Sequence, residues 1–220
     1  MTGIFDSGVG GAVALEHLRN MRPKIDICFF ADRANAPYGT KDRGELLGLV
    51  CADIERLLLA GAERILMACC TASTVWDILP SEYKSVTVPI IEPTARTACR
   101  VTKSGKIGVI ATHRTATDKA FTKAIMKIDK MISVEEISAQ PLVRMAECGV
   151  HDINAVDSVL SPLKNKDIDT LILGCTHFPR LAREISECMP EVSLVSSPYE
   201  GAREIAKNTE DTGSAITLYL

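Results

Sequence analysis

The chain has 220 residues, of which 46% are hydrophobic and 24% are charged, a balance that is typical of a globular protein. Its formal net charge is -3 and its aromatic content is 5%, so the composition favours neither a nucleic-acid-binding nor a membrane-surface protein. The most apolar stretch, residues 54–70, carries two glutamates and two arginines, which excludes a membrane span there. No targeting segment is evident, and we expect a cytoplasmic protein.

The first half of the chain alternates short β-branched runs with amphipathic runs, which is typical of α/β proteins with parallel sheets. We predict strands that end at Phe5, cover residues 25–31, end at Ala68 and cover residues 86–91. A glycine-rich turn at residues 8–11 leads into a helix through Leu15 and Leu18, and helical spacing predicts a long helix over residues 46–58. Pro93 closes the fourth strand and is expected to start the next helix at its first position.

The same pattern then restarts. We predict a strand at 106–111, a helix at 117–126 with Asp118 in its first turn, a strand at 134–137, and short helices at 142–148 and 153–163. A strand at 170–173, a helix at 181–189, a strand at 192–195, a helix at 199–207 and a short edge strand at 215–220 follow. The repetition predicts two pseudo-symmetric α/β domains, each a mostly parallel sheet flanked by helices. Their predicted bounds are 1–92 together with 199–220, and 93–198.

Two cysteines follow the ends of predicted strands in similar surroundings, Cys69 within MACCTAS and Cys175 within LGCTHF. Asp6, at the end of the first strand, lies 63 residues before Cys69, and Thr112 lies 63 residues before Cys175. Ligands of open parallel sheets bind beyond the carboxyl ends of the strands. Two such domains facing each other are therefore expected to place both cysteines in one cleft.

The pair of thiols predicts chemistry at an α-carbon. A thiol at the start of a helix is expected to have a lowered pKa, because the helix dipole favours the thiolate. Inverting an α-carbon needs a base on one face and an acid on the other, and Cys69 and Cys175 would supply both. Fixed donors must stabilise the carbanion-like transition state. Asp6, His177 and Glu147 are the candidate groups that tune the two thiols.

Three other interpretations of the cysteines remain open. Free cysteines are often packing residues, which is what we expect of Cys28, Cys51, Cys99 and Cys188. A zinc site is a second alternative, although its spacing would depart from the usual paired ligands, which here would be Cys69, Cys70, Cys175 and His177. A redox role of the adjacent Cys69 and Cys70 is the third.

Five segments match, in order, the motifs of one known family. They are Gly3–Gly11 (GIFDSGVGG), Ala36–Lys41 (APYGTK), Ala68–Ser73 (ACCTAS), Ile107–Ile110 (IGVI) with Thr112, and Leu171–His177 (LILGCTH). On these motifs the chain resembles the glutamate racemases of the aspartate/glutamate racemase superfamily. The resemblance implies a two-domain α/β fold with the active site between the domains. It also implies a homodimer that interconverts L- and D-glutamate without cofactor or metal and supplies D-glutamate for peptidoglycan.

The same resemblance implies roles for individual residues. Cys69 and Cys175 match the two acid/base thiols of the family, and Glu147 matches an assisting carboxylate. The matching substrate-binding positions are Asp6, Ser7, Tyr38, Gly39, Cys70, Thr71, Thr176 and His177. The family has asparagine where this chain has Cys70. Aspartate as the substrate, or a non-catalytic paralogue that binds a small carboxylate, are the alternatives.

Overall fold

The computed structural model describes residues 1–220, which form two compact units, Met1–Ile90 with Pro198–Leu220, and Ile91–Ser197. Nine strands build two separate sheets. In chain order they are β1 (Thr2–Asp6), β2 (Ile27–Ala31), β3 (Arg64–Met67), β4 (Thr87–Pro89), β5 (Lys106–Ala111), β6 (Ser133–Ser138), β7 (Thr170–Gly174), β8 (Ser193–Ser196) and β9 (Thr217–Tyr219).

Eleven α-helices and four short 3₁₀ helices connect the strands. The α-helices are α1 (Ala12–Met21), α2 (Arg43–Leu59), α3 (Cys70–Ser73), α4 (Ser81–Val86), α5 (Ile91–Val101), α6 (His113–Thr117), α7 (Ala120–Ile128), α8 (Gln140–Cys148), α9 (Ile153–Leu160), α10 (Ala182–Cys188) and α11 (Ser197–Ala206). The 3₁₀ helices are Tyr38–Thr40, Trp76–Ile78, Ser161–Leu163 and Phe178–Leu181. Every helix falls short of the length and hydrophobicity that a bilayer-crossing segment needs.

The sheet of the first unit is entirely parallel, with the strand order β4-β3-β1-β2-β9. All five residues of the central strand β1 are buried, because helices cover both faces of a parallel sheet. One face packs against the apolar stripe of α2, and the other packs against α1 and α11. The predicted edge strand near the end of the chain is confirmed as β9, which pairs with β2.

The second unit repeats the plan with the parallel order β6-β5-β7-β8. Read from the other edge, its four strands follow the same order as β4-β3-β1-β2 in the first unit. In both units the third strand along the chain therefore lies beside the first. Since β3 leads to Cys69 and β7 leads to Cys175, the two cysteines occupy equivalent positions in the two sheets. The predicted class, α/β with two units of parallel sheet flanked by helices, is confirmed.

Two local predictions are wrong. In place of one helix at 117–126, the chain forms α6 and α7, and Asp118 follows the end of α6. The side chain of Thr112 caps α6 by accepting from the N–H of Thr115, so helical structure begins at His113, four residues before the predicted start. Lys119, with a φ of 51°, separates α6 from α7. The strand predicted at 86–91 shrinks to β4. Helix α5 begins at Ile91, so Pro93 is its third residue rather than its first, the expected position; it still lies in the first turn, where a missing N–H costs nothing.

Candidate active site

In the first unit, Cys69 lies between β3 and α3, beside the end of β1. Its Sγ atom accepts from the N–H of Ala72 at 3.4 Å and lies 3.5 Å from the Oγ atom of Ser7. The preceding residue Asp6 is fully buried, and its Oδ2 atom accepts from the N–H of Gly8 at 3.0 Å. Adjacent parallel strands thus bring three of the predicted site residues together, a carboxyl group, a hydroxyl group and a thiol.

Burial raises the pKa of the Cys69 thiol to about 11, and the nearby Asp6 carboxylate contributes to that rise. Hydrogen bonds from Ser7 and Ala72 favour the thiolate, but they do not offset the burial. The expectation that the helix start lowers this pKa is therefore wrong. Helix α3 has only four residues, and Cys69 is 5% exposed, so its dipole is short and water is excluded. At neutral pH the sulfur is a thiol.

The other predicted residues of the first unit lie around α3. Cys70 and Thr71 are buried in its single turn. The 3₁₀ helix Tyr38–Thr40 packs against α3 and carries Tyr38, which is 1% exposed, and Gly39. This segment therefore lies beside the turn that starts at Cys69.

Two carboxyl groups that the sequence analysis did not identify hold Tyr38. The Oη atom of Tyr38 lies 2.7 Å from Oδ2 of Asp32 and 2.6 Å from Oδ2 of Asp53. Asp32 follows the end of β2, and Asp53 lies in α2. One signal was present in the sequence, because Asp53 shares the apolar face of its helix with Val50 and Leu57. A carboxyl group on a buried helix face indicates a specific partner.

In the second unit, Cys175 directly follows β7, and its Sγ atom lies 3.6 Å from Nδ1 of His177. Thr176 and His177 are also buried. On the other side of the imidazole, Nε2 lies 3.3 Å from Oε1 of Glu147, near the end of α8. This is an ion-pair distance, but the two atoms are not aligned for a hydrogen bond. Glu147, His177 and Cys175 thus lie in a row that leads from a half-exposed carboxylate through an imidazole to a buried thiol.

Thr112 occupies the position in the second unit that Ser7 occupies in the first, one residue past the first strand. Its hydroxyl group lies 2.9 Å from Oγ1 of Thr115 and caps α6. Each unit thus places a buried strand-end thiol and a hydroxyl group at the carboxyl ends of two adjacent strands.

Proton transfer is the chemistry that these groups support. Thiol, imidazole and carboxyl groups all exchange protons, and each of the two strand-end thiols has such a neighbour, Asp6 for Cys69 and His177 for Cys175. Neither unit brings three cysteine, histidine, aspartate or glutamate side chains into an arrangement that could hold a metal ion.

Residues 25–205 match the family model described as Asp/Glu/Hydantoin racemase. A glutamate racemase from Bacillus cereus is 36% identical over 212 residues, which cover 93% of this chain and 78% of that protein. The crystal structure of glutamate racemase isoform RacE1 from Bacillus anthracis superposes with a TM-score of 0.90 and 30% identity, covering 100% of this chain and 86% of that one. A glutamate racemase from Francisella tularensis, solved in complex with D-glutamate, superposes with a TM-score of 0.87 and 25% identity, covering 99% and 86%.

The family model covers most of the chain, and the relative from Bacillus cereus exceeds 30% identity over most of both proteins. The two sheets of parallel strands flanked by helices agree with this match. The chain belongs to the Asp/Glu/Hydantoin racemase family.

Proposed function

We propose that this protein interconverts L- and D-glutamate with Cys69 and Cys175 as the base and the acid on opposite faces of the α-carbon. The observation that carries the proposal is the equivalent placement of two buried thiols, one after β3 and one after β7, in a chain that matches glutamate racemases over most of its length. Racemisation by two residues needs two matched proton carriers, and a duplicated fold supplies them.

The proposed reaction consists of two proton transfers, one from the α-carbon and one to it, and involves no change of oxidation state. The thiolate of one cysteine removes the α-proton, which leaves the electron pair on the α-carbon, and the thiol of the other delivers a proton to the opposite face. The two residues exchange protonation states, so the reverse reaction uses the same groups in the opposite roles. Asp6, Ser7, Tyr38, Gly39, Cys70, Thr71, Thr176 and His177 are the proposed contacts of the substrate.

The raised pKa of Cys69 fits this scheme because an amino acid brings its own positive charge. Burial and the Asp6 carboxylate keep Cys69 protonated in the protein alone. An α-ammonium group beside Asp6 would offset that carboxylate and favour the thiolate. Cys69 would then become a base only when a substrate is bound. On the other side, we propose that Glu147 orients His177 and stabilises its charged form, which in turn receives or donates the proton of Cys175.

We further propose a cytoplasmic homodimer that supplies D-glutamate for peptidoglycan and needs no cofactor. Support for the small-molecule substrate comes from the Francisella tularensis relative, whose structure holds D-glutamate. The dimer is tested by light scattering on the purified protein, where a monomeric mass across the concentration range would contradict it.

The central experiment incubates the protein with single enantiomers of glutamate in D₂O without added cofactor. We expect each enantiomer to yield the other with deuterium at the α-carbon, because the proton arrives from a thiol that exchanges with solvent. Chiral chromatography and proton NMR measure inversion and exchange. Exchange with aspartate in place of glutamate would reassign the substrate. The absence of exchange with either amino acid would leave only a carboxylate-binding role.

A second experiment tests the pairing of the thiols. Cys69→Ser and Cys175→Ser should each lower kcat by about 10³-fold or more, as the loss of an acid/base group does. If both act on one α-carbon, the double variant should be no slower than the slower single variant, because residues that act as a unit are not additive. Cys99→Ser in α5 is the control and should retain full activity. Full activity of Cys175→Ser would contradict the two-thiol mechanism.

A further inference from the structure

We propose that Asp53 holds a proton at mildly acidic pH and, through Tyr38, positions the Tyr38–Gly39 turn for substrate. The role of this turn rests on the proposed function, whereas the proton on Asp53 does not. Asp53 would be a positioning residue, since it contacts Tyr38 and not the reacting atoms.

The phenol oxygen of Tyr38 has more carboxyl contacts than its one hydrogen can satisfy. The phenol of Tyr38 carries one hydrogen, but its oxygen lies within 2.7 Å of one carboxyl oxygen and 2.6 Å of another. One hydrogen satisfies one of these contacts. With both carboxyl groups ionised, the other contact would press a negative oxygen against a lone pair of the phenol. All three side chains are buried, so water does not relieve that repulsion. One of the two carboxyl groups therefore carries a second hydrogen.

The surroundings identify which carboxyl group is the acid. Both oxygens of Asp32 accept from the Nδ2 atom of Asn35, at 3.0 and 2.9 Å, so this carboxyl group already serves as a hydrogen-bond acceptor. The side-chain partner of Asp53 is Tyr38 alone. The consistent arrangement has the acid of Asp53 donating to Tyr38, and Tyr38 donating to the Asp32 carboxylate.

The charged groups around Asp53 lead to the same assignment. Burial raises the pKa of Asp53 to about 7, and the negative charges of Asp32 and Asp6 act in the same direction. The hydrogen bond with Tyr38 and the positive charge of Arg56 oppose them. Arg56 is on the exposed side of α2, 4.6 Å from the ring of Phe30, so its charge is partly screened by water.

The network is connected to the strand end that carries Asp6. The N–H of Asp32 donates to the carbonyl of Asp6 at 2.9 Å, which fixes one end of the network to β1. The other end is fixed to α2 through Asp53, and Tyr38 lies between them. Ionisation of Asp53 would replace an attractive contact with a repulsive one and release Tyr38 from α2. We therefore expect the turn to be held below the pKa of Asp53 and loosened above it.

Infrared spectroscopy tests the proton directly, without any need for activity. Asp53→Asn should remove a carboxylic-acid carbonyl band from the spectrum of the protein at about pH 6, where ordinary carboxyl groups are ionised. The amide is isosteric and donates to Tyr38 as the acid does, so the fold is retained. Asp211→Asn, at an exposed aspartate of the same unit, is the control and should leave that band unchanged. If Asp53→Asn leaves the acid band unchanged, the proposal is wrong.

Kinetics test the positioning role. Asp53→Asn should match the wild type at about pH 6.5 and should lack the rise in KM that we expect for the wild type above about pH 8, because the amide does not ionise. Asp53→Leu should raise KM about tenfold at every pH while changing kcat less, with folding checked by circular dichroism. The same KM for wild type, Asp53→Asn and Asp53→Leu would overturn the positioning role.

The two proposals fail in different ways. If the wild type does not exchange the α-proton of any amino acid, the racemase proposal is wrong, and the infrared result still decides whether Asp53 carries the proton. In that case the Kd of D-glutamate, measured by calorimetric titration, replaces KM as the test of whether the Tyr38–Gly39 turn is positioned for the ligand. Binding that is equal in wild type and Asp53→Leu would then overturn the positioning role.

Discussion

The Nδ1 atom of His177 lies 3.6 Å from the sulfur of Cys175. Because its Nε2 atom faces Glu147 at 3.3 Å, a proton taken by the imidazole leaves a cation next to a carboxylate. His177 thus lies between the thiol of Cys175 and the half-exposed carboxylate of Glu147.

Glu147→Gln should lower kcat about tenfold with a smaller change in KM, because the amide keeps the size of the side chain but does not stabilise an imidazolium. A tenfold loss corresponds to about 1.4 kcal/mol of transition-state stabilisation. Glu187→Gln is the matched control, since Glu187 pairs with Arg183 at the surface of α10. Equal activities of the two variants would show that Glu147 does not assist the reaction.

The second prediction concerns the two groups that act on Cys69 in opposite directions. The charge of Asp6 raises the pKa of the Cys69 thiol, so Asp6→Asn should lower this pKa. The hydrogen bond from Ser7 lowers the pKa of the thiol, so Ser7→Ala should raise it. The measurement is the pH midpoint of Cys69 alkylation by iodoacetamide, followed by mass spectrometry of the peptide. Midpoints that move in the same direction in both variants would contradict this account. Cys99 in the same sample is the internal reference.

Parallel strands were the part of the fold that the sequence predicted best. Buried strands such as β5 are continuous apolar runs, and the prediction of residues 106–111 coincides with its observed bounds. The helices at 113–128 were predicted poorly, because the cap formed by Thr112 decided where the first one begins.

In the candidate site, too, features set by local sequence could be predicted and features set by tertiary contacts could not. The carboxyl ends of β3 and β7 could be predicted from local sequence, so the placement of Cys69 and Cys175 just after these strands was predicted correctly. The pKa of Cys69 depends on burial by segments that are distant in sequence, and Tyr38 contacts the carboxyl groups of Asp32 and Asp53. Neither feature could be predicted from a local sequence pattern.

The third prediction concerns pH and the stability of the second unit. Asp169 accepts from the hydroxyl group of Thr102 and from the N–H groups of Lys103 and Ser104, at 2.7, 2.7 and 2.6 Å. Burial alone would raise its pKa, but these hydrogen bonds outweigh that effect and hold the pKa well below its usual value of 3.8. A depressed pKa means that the carboxylate contributes stability above pH 3.8, which is lost as the pH falls further.

Asp169→Asn should therefore lower the free energy of unfolding by about 1–2 kcal/mol at neutral pH, because charge-assisted hydrogen bonds are lost. Urea denaturation at about pH 7 and about pH 3 should show the difference from wild type shrinking at the lower pH. Asp167→Asn, at an exposed ion pair with Lys106, should cost less than about 0.5 kcal/mol. A difference for Asp169→Asn that grows as the pH falls would contradict the assignment.

The last prediction concerns the backbone that carries Cys175. A Cβ atom at Gly174 would lie 2.7 Å from Cε2 of Phe121 and 2.8 Å from the carbonyl oxygen of Ile110. Neither neighbour has room to move, since the ring is buried in the core and the carbonyl belongs to β5. Gly174→Ala should therefore destabilise the protein by about 1–3 kcal/mol, as overpacking does, and displace the thiol that follows.

The matched control is Gly48→Ala in α2, where no atom beyond the adjoining backbone of the helix lies within 4 Å of the added Cβ. That variant should be neutral or more stable by about 0.5–1 kcal/mol, because alanine favours the helix. Urea denaturation and α-proton exchange measure the two effects together. We expect Gly174→Ala to lose activity even at temperatures where circular dichroism shows it to be folded, since the sulfur of Cys175 is displaced from His177. If Gly174→Ala unfolds with the free energy of the wild type and exchanges the α-proton at the same rate, β5 and β7 can separate enough to admit a methyl group. The rigid placement of Cys175 would then be wrong.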